Sequence, residues 1–169
     1  SNRHPAMHGA FFDGEKRQHT VEPVTQAALG AVVGQACVGH RLGRRALCWG
    51  AVAGLLPDID VVAILTHGPW AEMRHHRGIT HSLWFGPVVG TLLGYAQWRW
   101  RRRDGGPAGQ GTEEPLSAWC WLWILGLLTH PLLDVFTAYG TQLLAPFSRQ
   151  RFAVNGVAII DPAYTLLLL

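Results

Sequence analysis

The sequence predicts an all-α, multi-span transmembrane helical bundle built around a metal site. Three observations lead there. Only 15% of the residues are charged, against about 25% in a typical soluble domain. Apolar runs alternate with short polar or arginine-rich segments, the pattern of membrane spans and their loops. Aspartates and histidines sit inside those runs, where an uncompensated charge is costly and therefore points to function. At 169 residues the chain is sized for one domain. Its eight Trp and 20 Gly are not the composition of a disordered chain.

Residues 1–21 are polar and aperiodic and read as a loose N-terminal extension, with His4, His8 and His19 scattered through it. Residues 22–169 read as the membrane-embedded domain. Its first run, 24–38 (VTQAALGAVVGQACV), is small and apolar and stops at His40, Arg41, Arg44 and Arg45. The second, 46–65, contains Pro57, Asp58 and Asp60. The third, 79–98, reaches the roughly 20 residues needed to cross a hydrocarbon core and stops at Arg99, Arg101, Arg102 and Arg103. After the linker DGGPAGQGTEEP comes the fourth, 116–136, rich in Trp at its start. The fifth, 156–169, ends on four leucines without a cap, so a longer native chain is expected, truncated here after Leu169.

The runs carry GAVVG, GAVAG and GPVVG, small residues that let helices approach closely in lipid. The same pattern also suits a soluble helical bundle. With Arg41–Arg45 and Arg99–Arg103 facing the cytoplasm, the chain alternates direction and its other polar motifs collect at the opposite, extracytoplasmic end. Arg74, Arg77, Arg149 and Arg151 fall on that end too, against the rule. The formal net charge is only +3 and comes from local clusters, so no nucleic-acid partner is expected; the bilayer is. The three cysteines form no CxxC pair, which argues against a zinc ribbon or disulfide framework.

Three segments carry metal-type ligands. In Pro57-Asp58-Ile59-Asp60 the proline breaks the helix, and both carboxylates can converge from unwound backbone. Buried unpaired, they would need a cation or proton; the bland alternative is a pair of aspartates at a wet helix end. His75-His76-Arg77-Gly78-Ile79-Thr80-His81-Ser82 combines imidazoles with a guanidinium, suited to a divalent metal and an anionic group, with Thr80 as a candidate N-cap. His130 and Asp134 are four residues apart and share one helix face, so they can hold one ion or the aspartate can orient the histidine. Mixed His and Asp ligands without thiolate suit zinc, or manganese or iron. No GxSxG, Walker loop or dinucleotide fingerprint is present.

At these motifs the chain resembles the YdjM-like family of inner-membrane-associated metal-dependent hydrolases. The resemblance runs from about Glu22 to Leu169. It rests on Glu22-Pro23-Val24-Thr25-Gln26, on Leu56-Pro57-Asp58-Ile59-Asp60, on His76-Arg77-Gly78-Ile79-Thr80-His81-Ser82 and on Thr129-His130-Pro131-Leu132-Leu133-Asp134. It continues through Gly140-Thr141-Gln142-Leu143, Pro146-Phe147-Ser148 and Ile160-Asp161-Pro162. That family is similar to the all-helical zinc-dependent phospholipase C and single-strand nuclease superfamily, implying a phospholipase C-like core. By this resemblance Asp58 or Asp60, His81, His130 and Asp134 become metal ligands. His76 becomes a further ligand or proton donor, and Arg77 a phosphate contact. Where relatives carry His this chain has Gln26, so one ligand is an amide or missing.

The expected function is hydrolysis of a phosphoester or lipid-derived ester by a metal-activated water, in the bacterial inner membrane with the site toward the extracytoplasmic face. His76 assists proton transfer and Arg77 stabilises developing charge. Arg149 and Arg151 are read as solvated or as contacts for headgroups or an anionic substrate, and Asp161 as a last ligand or a cap. The alternative is a non-enzymatic membrane protein relaying protons or metal ions through its Asp and His residues.

Overall fold

A computed structural model describes residues 7–58, 79–103, 114–136 and 140–154, with side chains from Pro23 onward. The described residues hold the helices α1 (Met7–Leu42), α2 (Arg44–Leu55), α3 (Phe85–Arg103) and α4 (Leu116–Val135). Single 3-10 turns at Leu56–Asp58 and Ile79–His81 flank the gap between α2 and α3.

Several boundaries differ from the sequence expectation. The backbone is helical from Met7, so from there on the segment expected to be a loose extension continues the first helix; between Met7 and Glu22 it contains no proline and several good helix formers. In the described part of the second run the helix holds 12 residues, about 18 Å long, and gives way to a 3-10 turn at Leu56 because Pro57 cannot continue the ladder. In the third run Thr80 lies within a 3-10 turn and α3 starts only at Phe85, so Thr80 is not a helix N-cap. The fourth run keeps its expected limits, opening after Pro115 and closing at Val135. It is the one helix among the described residues that is long and apolar enough to cross a membrane. The fifth run lies outside the described residues.

Small residues set the helix spacing. Gly43, at φ 59°, turns the chain between α1 and α2 within one residue, a conformation that favours glycine. α1 and α2 then pack antiparallel, with Gly30 against Gly50 and Gly54 and Gly34 against Ala46. On α3, Gly86, Gly90 and Gly94 face Leu128, Ile124 and Cys120 of α4, again antiparallel. A Cβ at Gly90 would stand 2.7 Å from the Ile124 nitrogen and 2.8 Å from its Cα. Gly90→Ala is therefore expected to cost about 1–3 kcal/mol, read as a lower midpoint in denaturant or heat with helicity retained before the transition.

Around this frame Val38, Leu42, Ala46, Ala53, Ala118, Trp119, Leu122 and Trp123 form the core, with Trp49, Leu56, Leu93 and Trp98 packed on it. Large apolar side chains also face outward on every helix, among them Val32, Leu47, Val52, Val88, Leu92, Trp121 and Leu132.

α1 and α3 run one way, α2 and α4 the other. The arginine-bearing ends of α1, α2 and α3 therefore gather with the start of α4, where Glu114 pairs with both Arg45 and Arg101. The opposite end receives both 3-10 turns and the last turn of α4. The 140–154 segment folds back there through a Thr141–Phe152 bridge. Its Leu143 carbonyl accepts the Leu83 amide at 2.9 Å, and its Val154 amide donates to the Val135 carbonyl at 2.7 Å.

Candidate metal centre

Two of the candidate ligands sit at breaks in regular structure and two on the last turns of α4. Pro57 stops α2 and leaves Asp58 on the 3-10 turn beyond it. His81 ends the second 3-10 turn and is fully buried. His130 and Asp134 occupy successive turns of α4 and are both buried. Pro131 is tolerated inside that helix, beside these functional groups.

The side chains converge. The two Nε2 atoms of His81 and His130 lie 3.1 Å apart. Asp58 Oδ1 is 3.1 Å from His130 Nε2 and 3.6 Å from His81 Nε2. On these three residues, ligand-type atoms all fall within 4.8 Å of one another. Asp134 Oδ2 approaches the same imidazoles, 3.5 Å from His81 Nε2 and 3.7 Å from His130 Nε2. Ligand bonds of about 2.0–2.1 Å in tetrahedral geometry separate neighbouring donor atoms by roughly 3.3–3.4 Å. The observed spacings bracket that value, so these residues fit a divalent cation.

The outer ring nitrogens are engaged as such a site requires. His130 Nδ1 lies 2.7 Å from the Gly54 carbonyl, which only accepts, so the proton is on Nδ1 and Nε2 offers its lone pair to the centre. His81 Nδ1 lies 2.9 Å from Thr80 Oγ1, which fixes the ring from the other side.

Gln26 completes the inner wall. It is buried on α1 and its Nε2 donates to Asp134 Oδ1 at 3.2 Å, leaving Oδ2 for the imidazoles. At this position the amide supports a candidate ligand, and its own Oε1 has no hydrogen-bond partner among the described residues. Thr80 and the Gly54 carbonyl were not legible as parts of the site, because neither residue type signals a ligand. Asp60, His76, Arg77 and Asp161 lie outside the described residues. Arg149 and Arg151 are exposed on the segment that follows α4.

Comparison with known proteins agrees with this arrangement of motifs. No solved structure matches the chain. The inner membrane protein YbcI of Escherichia coli is 33% identical over 132 residues, covering 76% of this chain and 69% of YbcI. The uncharacterized protein YfhP of Bacillus subtilis is 31% identical over 112 residues, covering 63% of this chain and 29% of YfhP. The family model described as YdjM inner membrane protein matches residues 21–169, which takes in all the motifs above, and the chain belongs to that family.

Proposed function

We propose that this protein is a metal-dependent hydrolase of the bacterial inner membrane, acting on a phosphoester or lipid-derived ester. One observation carries the reading: two buried imidazole Nε2 atoms stand 3.1 Å apart with carboxylate oxygens of Asp58 and Asp134 beside them. Electron-rich atoms crowd together in a protein interior only around positive charge. The donor set of two imidazoles and carboxylates, with no thiolate, suits zinc, with manganese or iron as alternatives.

A divalent cation held there would supply Lewis acidity and make water a nucleophile near neutral pH. The chain's own residues do the rest. Asp58, His81 and His130 hold the cation, and Asp134 closes the set. Gly54, Thr80 and Gln26 keep those side chains aimed. His76 and Arg77, five and four residues before His81 in sequence, serve as proton donor and as the guanidinium that takes the charge of the ester anion. Outward apolar residues on every helix contact lipid, with more than one segment crossing the bilayer and the ligand end on the extracytoplasmic side, opposite the arginines.

Detergent-purified protein is expected to retain stoichiometric divalent metal and to hydrolyse phospholipid or a generic phosphodiester. Chelator removes both metal and turnover, and added zinc restores them. At a free metal concentration about 1,000 times the dissociation constant, binding stabilises the fold by about 4 kcal/mol, so the chelated protein should melt earlier. Metal-free protein with pH-dependent ion flux and no hydrolysis would overturn the proposal in favour of the relay.

A further inference from the structure

The arginine end of the bundle carries a second feature, unconnected with the metal centre. Between the last turns of α1 and the first turns of α4 lies a groove enclosing about 360 Å³. Arg41 and Ser117 stand at its mouth, and Cys37, Val38, Trp121 and Leu125 line it further along the helices. Ser117, Trp121 and Leu125 recur every four residues, a single stripe on α4 that extends about 12 Å from the bundle end. The groove thus changes from cationic and hydroxylic at the end to apolar along the bundle wall, and Trp121 is 55% exposed to it and to the surroundings.

The charge at its mouth is free to act outward. Arg45 and Arg101 share Glu114, whereas Arg41 pairs with no carboxylate among the described residues. Among the described residues its one hydrogen bond runs from Nε to His40 Nε2 at 3.1 Å, which leaves both terminal nitrogens for a ligand. Arg44 is exposed at the same end and adds to the positive potential.

We infer that the α1–α4 groove binds the headgroup of an anionic phospholipid, with the phosphate on Arg41 and Ser117 and the first acyl methylenes along Trp121 and Leu125. The polarity gradient matches such a molecule laid along the helices. A guanidinium offers paired donors to a phosphate, and a basic pocket between helices next to the membrane surface is suited to acidic headgroups. A free phosphate would use the mouth and gain nothing from the apolar stretch.

The test is lipid retention by full-length protein in mild detergent, measured by native mass spectrometry with phosphatidylglycerol against phosphatidylcholine. Wild type should retain phosphatidylglycerol preferentially. Arg41→Gln should lower that retention about fivefold, while Arg103→Gln, at the same end but outside the groove, leaves it unchanged. Trp121→Ala keeps every charge and should also weaken retention. Arg41 and Trp121 are exposed, so helicity should persist in both variants. Equal retention of the two lipids, equal losses in Arg41→Gln and Arg103→Gln, or full displacement by millimolar inorganic phosphate would each overturn the inference.

Discussion

The His130→Ala, Asp134→Ala double variant is expected to lose bound metal and hydrolysis together. Both residues are buried on one face of α4. His130 Nε2 is the atom nearest to both Asp58 and His81, so its removal deletes the shared vertex of the group. Removing a mere supporting residue costs about 10- to 100-fold in metal affinity; the loss of two ligands should exceed that and leave no stoichiometric metal in a dialysed sample. Isothermal titration with zinc and an ester assay read the two effects separately. His40→Ala, an exposed histidine at the other end of the bundle, should change neither. Hydrolysis that survived the double substitution would remove the metal centre from the mechanism.

Gly54→Ala is the second large effect, since one methyl group strikes packing and site at once. A Cβ at Gly54 would collide with the Gln26 carbonyl oxygen on α1. Backbone cannot yield as a flexible side chain does, so the two helices must part, at about 1–3 kcal/mol. The Gly54 carbonyl is the acceptor of His130 Nδ1, and Gln26 is the residue bonded to Asp134. Forcing α1 from α2 therefore loosens two ligands through their supports, and zinc affinity should fall about 10- to 100-fold. Both changes are measurable on one preparation, by thermal melting with chelator present and by metal titration. A normal melt with weakened binding, or the reverse, would separate two roles that the geometry joins.

Some features were plain in the sequence. α4 kept its expected limits because it is an uninterrupted apolar run opened by Pro115, and length and composition alone suffice for such a segment. The gathering of arginines at one end and ligands at the other followed from their alternation along successive runs. The second run shows the limit: apolarity continues without a break past Leu55, yet α2 gives way there to the 3-10 turn Leu56–Asp58, since hydropathy does not record the hydrogen bond that Pro57 lacks. Thr80 shows another. A hydroxyl before an apolar run looks like a cap, but here it braces the His81 ring, a role defined by where the ring points.

The sequence by itself determined the helical class, the family and the His and Asp residues of the candidate site, because each depends on residue identity, periodicity and short-range spacing. Only the tertiary structure decided which ligands meet. Gln26 and Asp134 are 108 residues apart, Gly54 and His130 76, and His81 and His130 49. Contacts of that range arise when glycine-faced helices pack closely and in register. Their geometry is a property of the assembled bundle, and no local pattern along the chain encodes it.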